Sequence, residues 1–285
     1  MKQDTNYIFL NGKIISDTEG HISLRDRGFL YGDGIFETLR SYNGTPFKLT
    51  EHLERLHSSA RKLKIPFEYT IKELTKNVKE LLEINNIPDA YIRITLSRGI
   101  GNIGLGINDN LESTLLIQSK PFMSYEKELY KKGMSLNVSR ARRSTSCPIS
   151  CHKTTNLLTS ILLKEEAKEK SAQEAIILNT DGYVAECIVS NIFIVDSRKV
   201  ITPSLDTNIL PGITRKIVLD ICKNNNISVS EDRFRIETLI KADEVFITNS
   251  LMEIMPIAEV EDNKVGKTIP GEITSQLMNA YKSLI

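Results

Sequence analysis

The stretch Ser150-Cys151-His152-Lys153-Thr154-Thr155-Asn156-Leu157-Leu158, at the middle of a 285-residue chain, sets a lysine just ahead of an apolar run. The run continues through Ile161 and Leu162, with Thr159 and Ser160 between, a spacing that predicts the start of a buried helix. A lysine facing such a run is costly unless it is neutral or covalently engaged, because burial disfavours an ammonium. Two readings follow: a solvated lysine on the first turn of a helix, or a lysine that forms a Schiff base. The lysine alone does not choose between them, so the rest of the chain has to.

Composition narrows the field. With 40% apolar and 26% charged residues, the chain reads as globular and long enough for one large domain or two ordinary ones. The formal net charge of +1 gives no field favouring nucleic acid or an anionic membrane. No apolar run approaches the ~20 residues of a membrane span, and no signal-type segment follows Met1-Lys2-Gln3-Asp4-Thr5. Cys147, Cys151, Cys187 and Cys222 form no C-x-x-C pair, which favours reduced thiols and a cytoplasmic location. His21, His52, His57 and His152 have no metal-ligand spacing, so no metal is expected.

Outward from the lysine, residues 7–15 read as a hairpin about Asn11-Gly12. A glycine-punctuated stretch, 23–40, leads into a strand over 35–42, its glycines suited to positive φ or to close approach of another group. It is not a G-x-G-x-x-G loop, and dinucleotide binding is rejected. Residues 50–63 predict a helix with Thr50 as N-cap, Leu53, Leu56, Ala60 and Leu63 on one face and Arg55 off that stripe. A second helix spans 70–85, strands span 90–98 and 111–118, and a glycine-rich loop, Gly101-Asn102-Ile103-Gly104-Leu105-Gly106-Ile107-Asn108, lies between those strands. Residues 121–132 are the expected linker, giving domains over 1–120 and 133–285. The second half alternates short strands with helices at 153–170 and 210–224, so the expected class is α/β (α+β) in two units.

Several residues there invite chemistry. Glu186, in Val184-Ala185-Glu186-Cys187, lies in a segment so apolar that it needs a buried cationic partner or a raised pKa, unless it is a strand-end surface glutamate. Leu210-Pro211-Gly212-Ile213-Thr214-Arg215 opens a helix whose first amides suit a phosphate, or is an ordinary Pro/Gly turn. Thr248-Asn249-Ser250 closes a strand with hydroxyls, and Arg55 is suited to bidentate pairing with phosphate if it is not simply solvated.

In their order and spacing, these pieces resemble the class IV, fold-type IV pyridoxal-phosphate (PLP) enzymes, a family that holds branched-chain aminotransferases, D-amino-acid aminotransferases and aminodeoxychorismate lyases. The likeness runs from Asn11-Gly12 to Pro256. It implies two α/β domains of the D-amino-acid aminotransferase-like fold with PLP at their junction, in a homodimer or larger homo-oligomer, with loop 99–106 the candidate for a contribution across subunits. It also implies roles. Lys153, in K-x-x-N, is the Schiff-base lysine and proton carrier; Glu186, in V-x-E-x-x-x-x-N, holds the pyridine nitrogen protonated; Arg55, Ile213, Thr214 and Ser250 hold the phosphate. Cys187 departs from the glycine the family usually has after this glutamate.

Substrate signals are mixed. Tyr31, Phe36, Arg40, Tyr91 and Arg93 are similar to pocket positions of branched-chain aminotransferases, as is the glycine-rich loop, whereas that subfamily usually has glycine-threonine-alanine where Asn249, Ser250 and Leu251 stand. The segments around Thr38 and Asn249 look more like the lyases. Lyases typically carry Arg or Lys at the position of Ile103, and D-amino-acid aminotransferases an arginine and a histidine at Ile103 and Leu105. An apolar loop gives no charge-assisted bond to a carboxylate, although Arg40, Arg93 or Arg98 is available elsewhere. The expectation is an aminotransferase acting on apolar, branched-chain L-amino acids or glutamate and 2-oxo acids. The runner-up is 4-amino-4-deoxychorismate lyase, with D-amino-acid transfer third and a PLP-binding protein without turnover last.

Overall fold

The structure, a computed structural model, describes residues 6–107 and 111–285; Asn108, the end of the glycine-rich loop, and Met1 to Thr5 lie outside them. By contact the chain divides into two compact units, 1–123 with 152–156, and 124–151 with 157–285.

The first unit begins with β1 (Tyr7–Leu10) and β2 (Lys13–Ser16), whose turn uses positive φ at Asn11 and Gly12 as a primed hairpin turn requires. Then follow α1 (Arg27–Tyr31), β3 (Gly34–Tyr42), β4 (Thr45–Pro46), α2 (Leu49–Lys62), α3 (Ile71–Asn85), β5 (Ala90–Ser97) and β6 (Thr114–Pro121). The strands form one sheet in the order β2-β1-β6-β5-β3-β4. Alternation decides its two faces. Ile35, Leu39, Ile92, Ile94, Leu96, Leu115 and Ile117 turn to one side and form a core with Leu53 and Leu56 of α2 and Leu74, Val78 and Leu81 of α3. The other face carries Phe36, Thr38 and Arg40, set by register opposite Thr95, Arg93 and Tyr91 of β5.

Two expectations for these helices resolve differently. α3 starts where predicted, on a capping box in which Thr70 and Glu73 satisfy each other's amides. α2 is not capped by Thr50: its N-cap is Lys48 at φ 55°, with no side-chain cap bond, so the turn from β4 rather than a hydroxyl sets its start.

The second unit contains α4 (Lys127–Lys132), β7 (Met134–Arg143), α5 (Leu158–Glu169), β8 (Glu174–Asn179), β9 (Val184–Cys187), β10 (Asn191–Asp196), β11 (Lys199–Pro203), α6 (Ile213–Asn224), β12 (Val229–Asp232), α7 (Ile236–Ile240), β13 (Glu244–Asn249), β14 (Glu253–Val260), β15 (Asn263–Lys264) and α8 (Glu272–Lys282). Its mixed sheet runs β12-β11-β10-β13-β14-β7-β8-β9, with β15 beside β14. Segment 127–132, expected within the linker, is helix α4; Tyr130 donates its hydroxyl to the Met252 carbonyl, and Leu129 and Tyr130 pack on this unit's core. Cys187 is fully buried in that core, and burial raises its thiol well above the usual range, so the departure from glycine is absorbed by packing. Among the described residues, no helix is long and apolar enough to cross a membrane.

The largest correction concerns the stretch that opened the sequence reading. Lys153 is not on a helix, because α5 begins only at Leu158. Nor is the run Leu158, Ile161, Leu162 buried; these side chains are 69%, 58% and 61% exposed, and α5 buries Leu163 and Ala167 instead. The cause is competition for backbone partners. The Phe36 amide donates to the Lys153 carbonyl at 2.8 Å, and the Thr155 amide to the Gly34 carbonyl at 2.9 Å, so residues 153–155 join the end of β3 rather than a helical turn.

Candidate active site

Lys153 is held by its neighbours in the chain. Thr154 bridges Ile35, and the Thr155 hydroxyl donates to the carbonyls of Gly32 and Gly34. On the other side, His152 Nδ1 and Ser59 Oγ of α2 are 2.9 Å apart. Gly34 makes the approach possible: a Cβ there would lie 2.9 Å from the Leu96 carbonyl oxygen and 3.1 Å from Thr155 Oγ1. The lysine is thereby half-buried, its Nζ 4.6 Å from the centroid of Phe36.

Behind the same strand lies a charged cluster that sequence reasoning missed. Glu37, 1% exposed, accepts from Arg55 Nε at 2.8 Å and Nη2 at 2.7 Å, and from His52 Nδ1 at 2.7 Å. Burial pushes this carboxyl up, but the Arg55 charge and the bonds from Arg55 and His52 outweigh it and hold the pKa at about 2. Burial lowers His52, opposed by Glu37 and reinforced by Arg55 and Lys153. An ionised carboxylate only accepts, so the neutral ring carries its proton on Nδ1. The signal was legible: in Phe36-Glu37-Thr38 the glutamate takes the core-facing parity of Ile35 and Leu39, where a charge requires partners.

The open face collects five of the expected substrate residues. Arg93 lies with its guanidinium carbon 3.8 Å from the Phe36 centroid and donates from Nε to Thr95 Oγ1 at 3.2 Å. Arg40 is flanked by the rings of Tyr42 and Phe122 at 4.1 and 4.0 Å. Thr38 and Tyr91 complete the group, half-buried. Tyr31, on α1, accepts at its hydroxyl from the Gly104 amide, and Arg27 donates to the Gly104 carbonyl. The loop is thus fastened at its middle while Ile103 and Leu105 stand 97% and 83% exposed. Arg98 drops out as a ligand. It is buried and committed to both oxygens of Asp33 and to the carbonyls of Leu63 and Lys64.

In the second unit, Glu186 stands on β9, 7% exposed. The expected cation is Arg143, at the end of β7, whose Nη1 lies 2.5 Å from Oε1. Oε2 accepts from the Leu210 amide and from Asn191 Nδ2, both at 3.1 Å. Asn191 Nδ2 also donates to the Leu210 carbonyl at 3.0 Å, so one amide ties the glutamate to the turn that opens α6. Gly212 is the N-cap of α6 and has no side chain with which to cap the amides that follow. Thr214 is buried, 2% exposed.

Asn249 is engaged within the chain. Its Nδ2 donates to Ser190 Oγ at 3.1 Å, and its Oδ1 accepts from the amides of Leu251 and Met252 at 3.0 and 2.8 Å, which shapes the turn carrying Ser250. Ser190 in turn donates to Glu174, a buried carboxylate that also accepts from the amides of Ile188 and Val189. Burial raises Glu174, against the Lys164 charge and these bonds. Glu174 was not anticipated, because nothing around it in sequence marks it as a loop support.

Each unit by itself offers donors of a kind that a phosphorylated pyridine takes: the first a lysine and a guanidinium, the second a buried carboxylate and a helix that starts at a glycine. Residues 34–260 match the family model for amino-transferase class IV. A Methanocaldococcus jannaschii protein assigned as a branched-chain-amino-acid aminotransferase is 36% identical over 277 residues, 97% of this chain and 96% of that protein. The aminodeoxychorismate lyase of Bacillus subtilis is 35% identical over 280 residues, 98% of this chain and 94% of that protein. Among solved structures, the Escherichia coli branched-chain amino acid aminotransferase superposes with a TM-score of 0.94 at 30% identity, covering 99% of this chain and 95% of that one.

Proposed function

We propose, from the premise that the chain belongs to the class IV aminotransferases, that it moves amino groups between apolar, branched-chain L-amino acids or glutamate and 2-oxo acids. The family is PLP-dependent, and the bound cofactor supplies the electron sink for cleavage at the substrate's α-carbon. Lys153 would hold it and would carry the proton taken from the substrate α-carbon. Glu186, aligned by Arg143, Asn191 and the Leu210 amide, keeps the proton on the pyridine nitrogen. Arg55, Ile213, Thr214 and Ser250 are the phosphate ligands in this reading.

The observation that carries the choice of substrate is loop 99–107. It presents Ile103 and Leu105 without any Lys, Arg or His, and it is fastened through Gly104 to Arg27 and Tyr31. Apolar side chains there suit the side chain of an apolar substrate, and the loop itself offers no charged group to a second carboxylate. In this reading Arg93, stacked on Phe36, takes the side-chain carboxylate of glutamate. The lyase is the second reading, favoured by Thr38, directly opposite Arg93 on the open face, while the engagement of Asn249 inside its own turn counts against it. The same reading takes the chain to act as a dimer or larger oligomer, with loop 99–106 contributing across subunits; an active monomer by gel filtration refutes that.

Single-turnover spectra test the substrate. L-leucine and L-glutamate should each discharge the absorption of the lysine-bound cofactor, and D-alanine should not. Silence with the amino acids, with pyruvate released from aminodeoxychorismate, overturns the proposal in favour of the lyase.

A further inference from the structure

We propose that Glu37 is a positioning residue that acts through Arg55, fixing the guanidinium for the cofactor's phosphate; this rests on the reading of Arg55 as a phosphate ligand. The geometry is that of a fork. Nε and Nη2 of Arg55 each bond a different oxygen of Glu37, at 2.8 and 2.7 Å, and His52, three residues earlier on α2, bonds Oε2 at 2.7 Å. Two parallel bonds to a planar group fix its rotation as well as its place, which a single contact does not. Glu37 and His52 are each 1% exposed, so neither can relax into solvent, while the Arg55 side chain retains 12% exposure. The carboxylate therefore takes the Nε–Nη2 edge of the guanidinium.

The placement along β3 extends the argument. Phe36 donates its backbone amide to the Lys153 carbonyl, and the next residue, Glu37, holds the Arg55 side chain. One dipeptide of β3 thus sets both the lysine and the arginine. A rigid ligand gripped at two ends needs that spacing held before it arrives, because ordering long side chains on binding costs affinity. A carboxylate placed merely to neutralise Arg55 would not need both oxygens in register with Nε and Nη2. A neighbouring histidine that keeps the carboxylate from turning points the same way.

The test compares PLP with pyridoxal, which lacks the phosphate, in equilibrium titrations of the apoprotein. Glu37→Gln keeps the shape but removes the ionic fork, and should weaken PLP at least tenfold while leaving pyridoxal within twofold. Glu37→Asp, which keeps the charge, should recover part of the loss, and it supplies the reading if the Gln variant does not fold. In an Arg55→Ala background, Glu37→Gln should cost nothing further. Equal losses for PLP and pyridoxal, or a full extra loss in the Arg55→Ala background, would show a general structural role and overturn the inference. Arg55→Ala binding PLP as tightly as the native protein would refute the phosphate reading itself. Arg55→Ala losing affinity beside an unaffected Glu37→Gln would sink this inference alone.

Discussion

Gly212→Ala is the sharpest probe of how the second unit holds Glu186. Gly212 has φ −66° and ψ 140°, so alanine meets no backbone strain. The new methyl, however, would lie 2.0 Å from Asn191 Oδ1 and 3.3 Å from Arg215 Cβ. Asn191 must swing, and its Nδ2 then loses Glu186 Oε2 and the Leu210 carbonyl. A bond to a charged acceptor contributes about 1.5–3 kcal/mol and a neutral one about 1 kcal/mol. Alanine returns about 0.4–1 kcal/mol by narrowing the unfolded ensemble. The net loss is about 3 kcal/mol, which for a unit of this size lowers the melting temperature by about 6–12 °C. Calorimetry of the apoprotein measures it, and a double-mutant cycle assigns it. In an Asn191→Ala background the obstructing oxygen is gone, and Gly212→Ala should then cost less than about 1 kcal/mol. A full cost persisting in that background, or a shift below about 1 °C in the native one, would show that the Asn191 tie is not what the glycine protects.

Two pH dependences follow from buried carboxylates of opposite sign. Glu37 is held at about 2 against an ordinary 4.5, so its stabilisation is complete above about pH 4.5 and lost as pH falls toward 2, a span of about 3 kcal/mol. His52, also lowered, binds protons more readily when unfolded and adds to the native protein's own loss below its ordinary 6.5, whereas the stability difference between native and Glu37→Gln protein should shrink between about pH 4.5 and 2, where Glu37 itself titrates, in urea titrations. Glu174 is raised, so its stabilisation is present below about 4.5 and is lost as pH rises through its folded value. Native protein should accordingly lose ground to Glu174→Gln as pH rises, whereas Glu174→Leu, which strands the Ile188 and Val189 amides and the Ser190 hydroxyl, should cost about 3 kcal/mol or more by thermal melting.

What could be read in advance was whatever a local rule controls. Asn11-Gly12, Thr70 with Glu73, and the parity of Phe36, Thr38 and Arg40 each follow from turn chemistry, capping or alternation, and the structure carries all three. The reading of Lys153 as the first turn of a buried helix failed, because the Lys153 carbonyl and the Thr155 amide are taken by β3, more than a hundred residues earlier in the chain. No periodicity in a nine-residue window reports such a partner. The same holds for Glu186. Its need for a cation followed from burial, but the choice of Arg143 over Arg140 or Arg142 depends on where β7 ends beside β8.

The buried glutamates show why residue type says so little by itself. Glu37, Glu174 and Glu186 all lie on strands and are all less than a tenth exposed. Glu37 faces a guanidinium and an imidazole, and the cation outweighs desolvation. Glu174 is bonded by three amides and a hydroxyl, with the Lys164 charge also favouring ionisation, and desolvation wins. Glu186 combines the two patterns, a guanidinium and two uncharged N–H donors being among its partners. A carboxylate that must face a protonated ring nitrogen needs enough donors to stay aligned, yet not so many cations that the ring proton is repelled. A second guanidinium on Glu186, in place of Asn191, would add charge where alignment is required. The side-chain amide supplies alignment without charge, and it reaches the turn before α6 with the same nitrogen.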